Sequence, residues 1–221
     1  MGNDLKFTPL NADLAAYVDR HRSDREDSLL TRLRAETREA LADRSGMQIP
    51  ADQGTFFSIL TAAMEVRTAV EVGTFTGYSA LCIARALAPG GHLHCFDVSD
   101  TYTAIARRYW AEAGVGDRIT LHLGDARELL DKHAPQEIDL AFVDADKAAY
   151  PAYADLLIPR MRPNGLLLFD NVLWHGKITD PGADDPDTLA LRALNETLTT
   201  DPRLEASILT VGDGILMARK R

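Results

Sequence analysis

Two short segments of this chain hold residues whose types and spacing could do chemistry: Phe142-Val143-Asp144-Ala145-Asp146-Lys147 and Leu168-Phe169-Asp170-Asn171. Each places hard oxygen donors just past the end of an apolar run, and the first adds an amine. Strand ends of that kind are where an open α/β sheet places its ligand crevice. Carboxylate and amide oxygens suit Mg²⁺, Ca²⁺ or Mn²⁺ far better than zinc or copper. A lysine three residues beyond Asp144 could accept a proton beside such an ion. Taken singly, each segment reads equally well as a solvated or strand-ending turn with a local ion pair. Together they point to proton chemistry next to a metal.

The elements needed to position those residues are visible in the hydrophobic pattern. Residues 10 to 65 carry helical periodicity, with Leu29, Leu30, Leu33 and Leu41 at helical spacing and a further helix from Ala51 to Met64. From residue 68 strands and helices alternate. Strands are expected at Thr68 to Val72, His92 to Phe96, Ile119 to Leu123, Ile138 to Val143 and Leu166 to Phe169. Helices are expected at Tyr78 to Leu87, Thr101 to Ala113, Ala126 to His133 and Tyr150 to Met161. This alternation implies right-handed βαβ units and a parallel sheet. After a polar loop and a helix from Asp187 to about Thr200, strands Ala206 to Val211 and Gly214 to Ala218 flank Gly212-Asp213. That tight reversal adds an antiparallel strand to the sheet. The first 65 residues read as a helical cover over the ligand edge of a single domain spanning residues 1–221.

The first βα turn, Glu71-Val72-Gly73-Thr74-Phe75-Thr76-Gly77-Tyr78-Ser79, has a glycine directly after a strand and a helix directly behind it. Backbone can approach a ligand closely there, and the helix N-terminus offers free N–H groups. Two glycines separated by three residues fall short of the three-glycine dinucleotide fingerprint. Asp97 closes the second strand, where a carboxylate can accept from both hydroxyls of a ribose. Gly124-Asp125-Ala126 closes the third, where an adenine edge could be read. Helix capping is the competing role for both Asp97 and Asp125.

Composition narrows the classes. The chain has 221 residues, 46% hydrophobic and 26% charged, with a formal net charge of −9. That acidity argues against nucleic acid or an anionic membrane as partner. No apolar run approaches the ~20 residues of a membrane span. Cys82 and Cys95 sit in apolar periodic segments and read as small core residues of a reducing compartment, so a cytoplasmic location is expected.

The Glu71–Ser79 turn, the segment Phe142 to Lys147 and Asp170-Asn171-Val172-Leu173-Trp174-His175-Gly176 closely resemble the cation-dependent O-methyltransferases, the family of the caffeoyl-CoA and catechol enzymes. The resemblance runs from about Met47 to the C-terminus. It implies a Rossmann-like class I methyltransferase fold: a seven-stranded, mostly parallel sheet with one antiparallel strand and helices on both faces. It implies S-adenosylmethionine as donor and a divalent cation, Mg²⁺ foremost with Mn²⁺ or Ca²⁺ as alternatives. The metal-holding positions map to Asp144, Asp170 and Asn171, and the base to Lys147. The donor positions map to Ile49, Glu71, Gly73, Thr74, Ser79, Asp97, Ala126 and Asp146. The expected activity is methylation of one hydroxyl of a catechol-like small molecule, with secondary metabolism as the setting and a homodimer as the assembly. A hydroxycinnamoyl-CoA thioester is the alternative acceptor. A nicotinamide-dependent dehydrogenase in the same crevice, or a non-catalytic donor-binding protein, are the alternatives of another class. The chain departs from the plant enzymes at His175-Gly176, where they carry a polar Asn. Trp174, His175 and Tyr153 are candidates to face the acceptor.

Overall fold

A computed structural model describes residues 8, 9, 11–23 and 27–221. One seven-stranded sheet runs in the order β3-β2-β1-β4-β5-β7-β6. Its strands are β1 (Thr68–Val72), β2 (His92–Asp97), β3 (Ile119–Leu123), β4 (Ile138–Val143), β5 (Met161–Phe169), β6 (Leu204–Leu209) and β7 (Ile215–Lys220). β1 to β5 pair in parallel, and β7 is antiparallel to both β5 and β6. β4, Ile-Asp-Leu-Ala-Phe-Val, is buried at every position, as a central strand covered on both faces must be.

Strand order reverses between β1 and β4, which is where such a sheet opens its crevice. The register makes that crevice level. Val72 pairs with Phe96 and with Val143, and Val143 pairs with Phe169. The next residue on each strand is therefore Gly73, Asp97, Asp144 or Asp170, and all four emerge along one line.

Helices cover both faces. Phe57 of α3 (Ala51–Ala63) and Leu81 of α4 (Tyr78–Ala86) share one buried cluster with Trp110 of α5 (Asp100–Glu112). Leu130 of α6 (Ala126–His133) joins Tyr150 of α7 (Tyr150–Leu157) and Leu191 of α8 (Pro186–Thr200) in the other. The N-terminal cover divides in two. α2 (Ser28–Ala40) buries Leu29, Leu30 and Leu33, whereas α1 (Ala12–Arg20) buries nothing. Among the described residues no helix is long and apolar enough to cross a membrane. Both cysteines are free and buried.

Two boundaries differ from the sequence reading. The helix expected to run to Met161 stops at Leu157, a 3-10 turn with Pro159 follows, and β5 starts at Met161 instead of Leu166. The Pro163-Asn164-Gly165 punctuation lies inside β5 as an irregularity: Met161 pairs with Ile138 and Leu166 with Leu140, so five steps face two. Asn164 absorbs the excess with a φ of +64°. The final hairpin is also wider than a two-residue turn, since β6 ends at Leu209 and β7 begins at Ile215.

β2 and β3 carry a row of imidazoles on one face. His94 and His122 stack at 5.7 Å, and His122 stacks on His133 of α6 at 5.0 Å. Burial and the neighbouring His92 and His122 push His94 down to about 4. Folded His94 holds its proton less tightly than the unfolded chain does, so stability should fall as pH drops from about 6.5 towards 4. Thermal melts across that range should show a smaller fall in His94→Gln. An identical pH dependence in both proteins would remove His94 as a contributor.

Candidate active site

The first turn beyond β1 is tied to the strands on either side. Gly73 has a φ of +87°, and a Cβ there would lie 2.2 Å from the carbonyl oxygen of Asp144. Only glycine allows that approach. Thr74 and Phe75 N–H each donate to Asp97 Oδ2 at 2.8 Å, and Ser99 N–H donates to Oδ1 at 2.7 Å. A carboxylate offers about four lone-pair sites. Three backbone N–H groups thus fix the orientation of the Asp97 carboxylate at the end of β2, where it lines the cavity. Ser99, not Asp97, caps α5, whereas Asp125 does cap α6 through Arg127 N–H.

These ends open into a cavity of about 940 Å³. Ile49, Gly73, Thr74, Ser79, Asp97, Ala126 and Asp146 line it, as do Asp144, Lys147, Asp170, Asn171, Trp174 and His175. Of the sequence-derived set, Glu71 alone does not reach the surface. It is fully buried beneath the turn, where desolvation drives its carboxyl up to about 8 and the Ser79 and Thr74 hydroxyls offset part of the rise. Its place is structural support one layer below the cavity.

The residues expected to hold a cation converge from the ends of β4 and β5. Lys147 Nζ donates to Asp144 Oδ1 at 2.8 Å and to the Tyr150 hydroxyl at 2.7 Å. Tyr150, wholly buried, lies 3.2 Å from the carbonyl oxygens of both Val143 and Asp170 and so ties the two strand ends together. Asp170 Oδ2 accepts from Gln53 Nε2 at 2.7 Å and Oδ1 from Asn171 N–H at 2.7 Å. Burial, then the charge of Asp144, drives Asp170 up to about 7. Asp144 is also raised by burial, with Lys147 opposing the rise. Asn171 (φ +57°), Trp174 (+47°) and His175 (+53°) all occupy left-handed backbone. His175 N–H is held by Asp213, while its side chain is 77% exposed. Tyr153 does not act alone at the wall; its hydroxyl donates to Asp146 Oδ1 at 2.6 Å.

Gln53, Tyr150 and Asp213 were not expected from the sequence. A lone glutamine on the buried face of α3 was the one available signal; Tyr150 and Asp213 read as ordinary core and turn residues.

Known proteins decide the class. Residues 20–221 match the O-methyltransferase family. The chain belongs to that family. A caffeoyl-CoA O-methyltransferase of Populus kitakamiensis is 34% identical over 88% of this chain and 87% of that protein. The O-methyltransferase TomG of Streptomyces achromogenes, solved with S-adenosylmethionine and involved in tomaymycin synthesis, superposes with a TM-score of 0.84 at 29% identity, covering 95% and 96% of the two chains. A Bacillus cereus O-methyltransferase bound to S-adenosylhomocysteine gives 0.85 at 28% identity, covering 95% and 97%. The protein is thus an S-adenosylmethionine-dependent O-methyltransferase of the caffeoyl-CoA type, and the nicotinamide and non-catalytic alternatives fall away.

The donor set suits a hard ion. Among the described residues no group of three or more His, Cys, Asp and Glu is placed to hold a metal; here the set is two carboxylates and one amide. Two neighbouring carboxylates, of which only Asp144 has a cationic partner, leave negative charge that a divalent ion would compensate.

Gly73 packs the turn after β1 against the end of β4, so Gly73→Ala should lower thermal stability and donor binding together. Left-handed backbone alone costs about 1–3 kcal/mol, before the clash with Asp144 is counted. A variant that melts normally and binds S-adenosylmethionine normally would contradict the close approach.

Proposed function

We propose that the enzyme methylates one hydroxyl of a catechol-like small molecule in a metal-dependent reaction. The observation that carries the reading is the Lys147 ammonium, 2.8 Å from Asp144 Oδ1, in the same cavity wall as Asp170 and Asn171. Asp144, Asp170 and Asn171 would hold the ion; when bound, it supplies a Lewis acid that fixes vicinal oxygens and favours the phenolate. Lys147 would accept the acceptor's proton at Nζ as the neutral amine, the form that a cation held beside it favours, and is kept in place by Asp144 and the Tyr150 hydroxyl. Gly73, Thr74, Ser79, Asp97, Ala126 and Asp146 form the donor end, with Ile49 closing it from the helical cover.

These residues would orient an oxygen behind the sulfonium methyl. Positioning can lower a barrier by roughly 7–11 kcal/mol, more than one proton transfer normally contributes. Trp174, whose buried indole N–H has no partner, and His175 flank the acceptor end.

Labelled donor incubated with catechol and Mg²⁺ should give a monomethylated product, and EDTA should abolish it. Full turnover in rigorously metal-stripped protein would refute metal dependence. Lys147→Ala should lower kcat by about 10²–10⁴-fold, the range of general-base removal, with donor affinity nearly unchanged. The ionisation seen in the wild-type pH profile of kcat should vanish in the variant. A variant that keeps both rate and profile would leave Lys147 without a proton-transfer role.

A further inference from the structure

The cavity is acidic, and its few cations are already engaged. Arg127 and Lys147 are the lysine and arginine side chains on its wall. Arg127 is paired with Asp125 at 2.5 Å and Lys147 with Asp144 at 2.8 Å. Two further carboxylates lie on the wall near Trp174 and His175, whose segment packs against α8. Asp187, in the first turn of α8, lines the cavity wall, as does Asp213 of the β6–β7 loop. Among the described residues neither is paired with a lysine or arginine; Asp213 instead holds His175 N–H at 2.9 Å.

The adjoining loop offers no free cation either. Lys177 lies 3.7 Å from Asp185. Arg192 donates to the carbonyl oxygens of Ile178 and Ala183 at 2.9 Å, of Lys177 at 3.0 Å, and of Asp180. That guanidinium is spent on holding the loop, which fixes the acidic rim in place. Among the described residues of this wall and loop, a phosphate-bearing acceptor would meet carboxylates and no lysine or arginine without a carboxylate or carbonyl partner.

We propose that Asp187 is a specificity-determining residue: it makes the acceptor end select uncharged or cationic catechols and turn away anionic ones, coenzyme A thioesters included. This rests on the O-methyltransferase reading of the site and narrows its acceptor. The physical basis is like-charge repulsion at close range, which salt screens over about 8 Å at physiological ionic strength. Asp187 acts on how tightly and how fast the acceptor is captured, while the metal-side residues handle the reacting oxygens.

The test compares kcat/KM for four acceptors at low salt: 3,4-dihydroxyphenethylamine, catechol, 3,4-dihydroxybenzoate and caffeoyl-CoA. The wild type should prefer the amine and catechol, with dihydroxybenzoate and caffeoyl-CoA poorest. Asp187→Lys should raise kcat/KM for dihydroxybenzoate by roughly 10-fold and lower it for the amine by a similar factor. Asp187→Asn should fall between, and it keeps the test alive if a lysine in the first turn of α8 impairs folding. Added NaCl should narrow the spread in the wild type through KM. Caffeoyl-CoA as the best acceptor, equal kcat/KM across all charges, or an unchanged ranking in both variants would overturn the proposal. Failure of the wild type to methylate any catechol would instead refute the underlying acceptor reading.

Discussion

Two neighbouring carboxylates, the half-buried Asp144 and the buried Asp170, place the heaviest demand on this fold. Each ends a central strand and each has lost most of its water. Unpaired buried charge is costly, so the neighbours of these groups are arranged to offset it. Lys147 reaches back three residues to Asp144, Gln53 reaches across from the helical cover to Asp170, and Asn171 N–H supplies a third donor. Tyr150 then anchors Lys147 and lies against both strand ends. The compensation is incomplete, and the remainder is what the proposed cation would offset.

The same constraint organises the donor end. Because Gly73 packs on the Asp144 carbonyl, the turn after β1 cannot move independently of the end of β4. Asp97 fixes the other flank of that turn through two backbone N–H groups. A donor held over the turn and an acceptor held over β4 and β5 would therefore share one rigid floor. Gln53 extends the coupling to α3, so the helical cover contributes to the reaction centre as well as closing it.

Alternation of apolar runs and turns made the sheet and its order of elements legible, since a strand like Ile138 to Val143 has one reading when flanked by helices of opposite face. The strand-end residues followed from it: Gly73, Asp97, Asp144 and Asp170 lie where a parallel register must put them. Boundaries controlled by backbone detail were not legible. Pro163-Asn164-Gly165 has the composition of a turn but is absorbed as an irregularity within β5, because pairing with β4 resumes on either side. Glu71 shares its segment with cavity residues, yet the two-residue period of a strand turns it beneath the floor. Gln53 lies 117 positions from its partner Asp170, and no local pattern announces such a contact.

Manganese binding followed by electron paramagnetic resonance tests the central claim most directly, because it reads the ion and not the turnover. Metal-free protein with S-adenosylmethionine should take up a single Mn²⁺, which Mg²⁺ displaces. Asp144→Asn and Asp170→Asn should each weaken uptake severely while the fold and donor binding persist. Uptake equal to wild type in both variants, or none in the wild type, would contradict the account.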